Sequence, residues 1–259
     1  MLRGKQAVCL TLCILFGGLT LLATEVAQSA KPDNKTFTAE TITRLQAMRS
    51  ATISPDGRWV ALLKEVPRKP EAKGDGPAYY ELHVTDPAGG RVRPFITGQV
   101  SVFGVQWTPD SRYISFLTRR GKDAFPALYV IPIDGGEARK IFSFESPLRG
   151  YSWHPNGKQI AFIAKTKKAK AIEKAAKHGF DQQVYEEGAK PAHVWLASVS
   201  LTGSKTKSKA RKLPLKGSAV SLAYNPAGDR LAVVLAKSSH IDDTMMASRL
   251  HVVDLKGKV

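Results

Sequence analysis

One decapeptide constrains this chain more than any other feature, because it returns three times. Ile53-Ser54-Pro55-Asp56-Gly57-Arg58-Trp59-Val60-Ala61-Leu62 comes back as Trp107-Thr108-Pro109-Asp110-Ser111-Arg112-Tyr113-Ile114-Ser115-Phe116. The third copy is Trp153-His154-Pro155-Asn156-Gly157-Lys158-Gln159-Ile160-Ala161-Phe162, and the fourth is Tyr224-Asn225-Pro226-Ala227-Gly228-Asp229-Arg230-Leu231-Ala232-Val233. Every copy has a large apolar residue two before the proline and another five after it. Proline presets φ for a turn, Asp or Asn tolerates the bend, and Gly supplies φ > 0. The flanks alternate apolar and small residues, as half-buried strands do. Each copy predicts a β-hairpin.

A third strand follows each hairpin: Tyr80–Val84, Leu128–Ile131, Val194–Ala197 and Leu250–Val253, each running toward a Gly- or Asp-containing turn. Fourth strands are expected at Arg91–Ile96 and Ala138–Phe142. Four strands per unit, repeated every few tens of residues, predict propeller blades. The prolines at 55, 109, 155 and 226 lie 54, 46 and 71 residues apart, so the blades share a core and differ in their loops. The fold class is therefore all-β: a partial β-propeller of about four blades of four antiparallel strands, with a short N-terminal helix and one helical insertion in blade 3. The expected division is residues 1–29 as a signal peptide, 30–50 as a lead-in helix, and 51–259 as an incomplete propeller. Its blades should start near 51, 103, 150 and 219.

The signal reading rests on the apolar run from Leu10 to Leu22 behind Arg3 and Lys5, with Ala27-Gln28-Ser29 as a small-x-small cleavage site. An uncleaved anchor is the competing reading, but the run falls short of the ~20 residues a span needs. The expected product is exported, periplasmic or secreted, after cleavage near Ser29/Ala30, and it meets the membrane only in transit. Both cysteines, Cys9 and Cys13, lie inside this segment. The mature chain would then hold no disulfide, thiol nucleophile or cysteine-ligated metal.

The formal net charge is +17. Such a balance attracts acidic surfaces in general, but here it is concentrated in two runs, Lys165–Lys177 and Lys205–Lys216, each with six basic residues. Both fall in loops of the third blade and lack the aromatic interleaving of a single-strand binder. They read as solvated loops, and no nucleic-acid partner is expected.

Along the chain, Thr36–Met48 has the look of a short amphipathic helix capped by Thr38, with Glu40 near its positive end. Pro67–Pro77 reads as an exposed loop. Thr166–His178 predicts a helix, with Gly179 standing where a C-terminal cap belongs. Lys237–Ser248 reads as a shorter polar loop. The sequence reaches Val259 where the fourth blade's outer strand is due, which predicts the front part of a longer propeller with self-association through open sheet edges.

Together the repeats and their lead-in resemble the N-terminal propeller of prolyl-oligopeptidase-family serine peptidases, in particular the acylaminoacyl-peptidase-like branch. The residues that carry the resemblance are Phe37-Thr38-Ala39-Glu40, Arg44-Leu45 and Ser54–Ala61, then Val184-Tyr185-Glu186-Glu187-Gly188 leading into His193-Val194-Trp195-Leu196. The hairpin motif is shared with other propellers, including the periplasmic TolB type. The family resemblance implies a propeller that filters peptide substrates for an α/β-hydrolase domain, whose serine, aspartate and histidine cut them. Such a domain needs Gly-x-Ser-x-Gly on a strand-to-helix turn. No such motif occurs in the sequence, and the nearest approach, Gly150-Tyr151-Ser152-Trp153-His154, falls on a hairpin strand.

No catalytic, cofactor-binding or metal-ligating residue is assigned, and no cofactor is expected. His83, His154, His178, His193, His240 and His251 show no paired metal-ligand spacing, and Asp242-Asp243 reads as a solvated pair. The function expected from the resemblance is the non-catalytic propeller portion of an exported serine peptidase, with peptide substrate and hydrolase domain as partners. The alternative is a TolB-like protein-binding module.

Overall fold

The computed structural model describes residues 38–69, 76–167, 170–182, 189–201 and 209–258. The signal segment, Thr36-Phe37 of the lead-in and the Val184–Gly188 cue lie outside these, as do parts of the Pro67–Pro77 loop and of both basic runs. A short helix, α1 (Ala39–Thr43), precedes four antiparallel meanders. Blade 1 is β1 (Ala47–Ile53), β2 (Val60–Val66), β3 (Tyr79–Thr85) and β4 (Arg93–Ile96). Blade 2 is β5 (Phe103–Trp107), β6 (Tyr113–Thr118), β7 (Ala127–Pro132) and β8 (Arg139–Phe142). Blade 3 is β9 (Gly150–Trp153), β10 (Gln159–Lys165), β11 (Ala192–Ser198) and β12 (Ala210–Lys212). Blade 4 has three strands, β13 (Ser218–Tyr224), β14 (Arg230–Ala236) and β15 (Arg249–Asp254). The chain is a β-propeller assembly of the expected class.

The lead-in helix is shorter than expected, and the first blade starts at Ala47 rather than near 51. Thr38 caps α1 as its sequence position suggests, its Oγ1 accepting the Thr41 N–H at 3.2 Å. Thr41, Ile42 and Thr43 are β-branched and gain little from a helix. From Ala47 onward, pairing with Glu65 and Lys64 of β2 offers the backbone a ladder instead.

All four repeats form the expected hairpins. The N–H of Gly57, Ser111, Gly157 and Gly228 closes a turn onto the carbonyl three residues back, at 2.8 to 3.0 Å. Each of these four residues has positive φ, between 59° and 78°. Ser111 takes this left-handed conformation without being glycine, and its Oγ accepts the N–H of Asp56 from the neighbouring turn. The residue just before the proline has a part that the apolar pattern does not disclose. Ser54 Oγ, Thr108 Oγ1 and Asn225 Oδ1 each accept the N–H five residues on, at 3.0 to 3.1 Å. Short polar side chains at this position therefore pin the hairpin register.

Three apolar clusters lie between successive blades. Ala61, Leu63, Leu82 and Val84 of blade 1 meet Ile114, Phe116, Tyr129 and Ile131 of blade 2. The other face of blade 2 (Leu117, Leu128, Val130) meets Ile160 and Phe162 of blade 3. Ala161, Ile163, Val194 and Leu196 then meet Leu231, Val233 and Val253 of blade 4. The strand period of two puts alternate residues on opposite faces, so every interior blade is apolar on both.

The blade 3 insertion holds α2 (Lys170–Lys177). Gly179, at φ +85°, ends it: its N–H bonds to Ala176 O, and Phe180 N–H bonds to Ala175 O. That pair of bonds is the Schellman closure. The Lys237–Ser248 segment is not a plain loop, for it contains a further helix, α3 (Ile241–Met246). Asp242 and Asp243 occupy its first turn, where acidic residues complement the helix dipole.

Candidate functional site

In the second, third and fourth copies the aromatic residue two before the proline reaches back to the preceding blade. Trp107 Nε1 donates to the Thr52 carbonyl at 2.9 Å. Trp153 Nε1 donates to Ser115 Oγ at 2.8 Å, in a wholly buried setting. Tyr224 donates its N–H to Ser152 Oγ and its hydroxyl to Gln159 Oε1, both at 3.1 Å. Around Ser115 the bonds form a network: its Oγ donates to Tyr151 OH at 2.8 Å and lies 3.0 Å from Gln106 O, and Tyr151 OH donates to Gly104 O at 2.7 Å. Burial holds the Tyr151 phenol well above its usual range, although the Ser115 bond opposes this. Burial likewise pushes Tyr224 up to about 12. These hydroxyls latch each blade to the one before it.

The residues weighed from sequence are not brought together. Ser152 stands on β9 and is engaged by Tyr224. His83 Nε2 sits 3.1 Å from Glu81 Oε2. His154 accepts the Asn156 N–H within its own turn and meets the Tyr224 ring edge-on, while His178 contacts Lys174 O after α2. Burial lowers the pKa of His193, with Lys212 adding to the effect. His240 occupies the N-cap position of α3 without a side-chain capping bond, and His251 lies on β15. Among the described residues no group of three His, Cys, Asp or Glu is placed to hold a metal ion.

One acidic cluster is well built. Asp123 Oδ1 accepts from Lys140 Nζ at 2.6 Å, and Oδ2 accepts from Tyr129 OH at 2.7 Å. Burial by itself would raise this carboxyl, but the bonds from Lys140, Tyr129 and the Arg120 N–H outweigh it and hold it below its ordinary range. Burial, then the neighbouring carboxylate, pushes Tyr129 up to about 12. The cluster ties the β6–β7 connection to β7 and β8. A depressed folded pKa contributes stability that is complete above the unfolded value of 3.8 and is lost as pH falls through the folded value. Asp123→Asn is therefore expected to cost about 2–3 kcal/mol near neutral pH. The cost should shrink as pH falls below 3.8 and through the lowered folded value, where the wild type loses the same contribution. Urea melts of both proteins across the acid range measure the difference.

A shallow groove of about 770 Å³ lies between the turns of blades 2 and 3, lined by Pro109, Asp110, Asn156, Lys158, Ser198 and Val199. Pro109, Pro155, Val199 and Leu201 give it an apolar share beside the polar groups of Asp110, Asn156 and Lys158.

Geometry thus defines an all-β propeller assembly with latched blades and a shallow groove between the turns of blades 2 and 3. Neither family models nor curated proteins match the sequence. Solved structures do match in fold. The acylaminoacyl peptidase of Pyrococcus horikoshii superposes with a TM-score of 0.52 at 12% identity, over 76% of this chain and 29% of that one. A puromycin hydrolase matches with a TM-score of 0.51 at 15% identity, over 82% of this chain and 28% of that one. An oligogalacturonate lyase in complex with manganese matches with a TM-score of 0.52 at 11% identity, over 80% and 49%. This chain spans less than a third of the first two proteins and about half of the third. At such identities the likeness establishes the fold, and a fold that serves both hydrolases and a lyase does not choose between them.

Proposed function

We propose that this chain is the propeller portion of an exported serine peptidase of the prolyl-oligopeptidase family, of the acylaminoacyl-peptidase-like branch. In this reading the blades filter peptides for an α/β-hydrolase domain that supplies the serine, aspartate and histidine. The 259 residues bind and gate without cleaving. One combination carries the reading: the propeller fold shared with the acylaminoacyl peptidase, together with the Phe37–Leu45 lead-in running into blade 1. The amino-terminal 29 residues act as the export signal, so the mature protein starts near Ala30.

The test captures the chain from an extract of its source and treats the captured material with a fluorophosphonate, which labels activated serines. A labelled serine hydrolase, continuous with the chain or bound to it, is expected, while the purified chain alone stays unlabelled. Capture of an unlabelled partner would sink the peptidase reading and leave a TolB-like binding module. Amino-terminal sequencing of the mature protein checks export separately.

A further inference from the structure

The repeat keeps its turn geometry from blade to blade but not its charge. On the rim that carries the hairpin turns, blades 1 and 2 are balanced: the turns at residues 54–59, 86–93, 108–113 and 133–139 hold five arginines and five carboxylates. Several of these arginines are engaged. Arg58 pairs with Asp56 at 2.8 Å, Arg93 stacks over Trp59 and Phe95, and Arg139 stacks over Tyr113. In blades 3 and 4 the turn carboxylates give way. Asn156 and Ala227 stand where Asp56 and Asp110 do, and no Asp or Glu occurs between Glu187 and Asp229. All four turns close with the same backbone bond, so the fold does not require this change.

Six exposed cations gather on the rim of these two blades: Lys158 in the third hairpin turn, Lys209 and Arg211 at the outer strand β12, Arg230 after the fourth turn, and Lys256 and Lys258 beyond β15. Backbone pairing brings them together. Lys158 O accepts the Val199 N–H at the end of β11, and β12 pairs with β11 from Ala210. Arg211 Nη2 donates to Leu255 O at 2.7 Å, and Arg230 lies across from Asp254. Two carboxylates share this rim, and both are occupied. Asp229 accepts from Asn225 Nδ2, and Asp254 Oδ1 accepts the N–H groups of Lys256 and Lys258. None of the six cations forms an ion pair among the described residues. The matching turns of blades 1 and 2, at residues 87–90 and 134–137, are exposed although an outer strand follows them. The exposure of Lys256 and Lys258 therefore belongs to their place on the rim.

Lysine beside a strand edge deters edge pairing, which accounts for Lys209 but not for the turn lysines. Four of the six are lysines, compact hydrated charges, whereas recognition of one carboxylate or phosphate favours the arginine fork. No aromatic ring is exposed among them, as stacking of single-stranded nucleic acid would need. Clustered lysines without a fitted pocket match a surface of many mobile negative charges. We propose that the hairpin rim of blades 3 and 4 docks the chain on a bilayer surface rich in anionic phospholipid.

Co-sedimentation of the full chain with vesicles of phosphatidylcholine, alone or with phosphatidylglycerol, reads this directly. The apolar run Leu10–Leu22 meets both vesicles, so the ratio of the two partition coefficients reports the charge. Stronger partitioning onto the anionic vesicles is expected, with the excess lost in about 1 M salt, where the Debye length is about 3 Å. Each basic residue at such a surface contributes roughly a fivefold factor, so Lys158→Gln, Lys209→Gln, Lys256→Gln and Lys258→Gln together should cut the excess more than about a hundredfold. The β10–β11 connection leaves from the opposite rim, where Lys165 pairs with Ala192. Removing the same charge there, by Lys167→Gln, Lys174→Gln, Lys177→Gln and Lys190→Gln, should change the excess less than about fivefold. No preference for anionic vesicles would overturn the proposal, and so would an equal loss in both variants, which marks net charge alone. Release of the bound chain by an equal charge of duplex DNA would also overturn it and reassign the patch to nucleic acid. The wild-type lipid and salt dependence remains a test even where a variant misfolds. None of these outcomes bears on fluorophosphonate labelling, so the docking surface and the peptidase reading fail separately.

Discussion

Alanine in place of Gly217 is expected to lower the melting temperature by roughly 10 °C, the largest effect of any single methyl group added to this fold. Two costs coincide there. Gly217 sits at φ +87°, and a Cβ on it would stand 2.2 Å from the carbonyl oxygen of Ala236. That oxygen belongs to the backbone of β14 beside the Ser218–Ala236 pair, so it cannot move aside as a flexible side chain would. Left-handed strain contributes about 1 kcal/mol and displaced packing about 1–3 kcal/mol. Each kcal/mol shifts the midpoint of a domain this size by about 2–4 °C. Gly89 supplies the control. It has φ +73° but open space around its Cβ position, so Gly89→Ala should show the conformational cost alone, a fall of about 2–4 °C. Thermal melts followed by circular dichroism compare the two, and equal shifts would mean that the close approach to Ala236 carries nothing.

That contrast shows which parts of the fold the sequence discloses. The Pro-Asp-Gly frame repeats in the primary structure, so the four hairpins and their third strands are legible, and so are the fourth strands β4 and β8. Local chemistry specifies them, and nothing distant overrides it. The capped ends of α1 and α2 are legible for the same reason: Thr38 and Gly179 act on their own neighbours. The length of α1 is not, because the switch to strand at Ala47 depends on what β2 offers across space. Nor is α3 legible, since Ile241–Met246 mixes two aspartates, a threonine and two methionines without a covered apolar stripe.

The contacts between blades were the least visible. Trp107, Trp153 and Tyr224 stand out in the sequence as large apolar residues, and that is what a core position requires. Their second part, reaching a polar group on the preceding blade, needs the neighbouring strand to be in place. One local signal does point to it. Position six after the proline is alanine in three copies, Ala61, Ala161 and Ala232, but Ser115 in the second. A lone hydroxyl where the repeat otherwise places a methyl group on a buried face predicts a buried donor in need of an acceptor. The candidate site shows the same division. Fold-level signals repeat and reinforce one another, whereas binding residues at the groove between the turns of blades 2 and 3 belong to two different repeats and their loops. The groove exists only when Pro109 and Asp110 are brought beside Asn156 and Lys158.

Ser115 gives the second large effect, and its cycle with Trp153 separates latch from packing. Ser115→Ala removes the acceptor for the Trp153 indole N–H and the partner of Tyr151 OH. Both groups are buried between blades 2 and 3. The expected cost is about 2–3 kcal/mol, the desolvation of groups left unpaired, and it should lower the melting temperature by roughly 5–10 °C. Trp153→Phe removes the donor along with part of the ring volume, for about 1–3 kcal/mol. If the two act as a latch, the double variant must cost less than the sum, because phenylalanine has no N–H to leave unpaired. The shortfall should reach about 1–2 kcal/mol, well beyond the ~0.5 kcal/mol within which independent sites add. Urea denaturation of the four proteins measures it. Strict additivity would mean that the indole and the hydroxyl are adjacent but uncoupled, and that blades 2 and 3 are held by their apolar faces alone. A measured coupling would instead explain why this one copy of the repeat departs from alanine: the hydroxyl is there for the residue that the next copy brings to it.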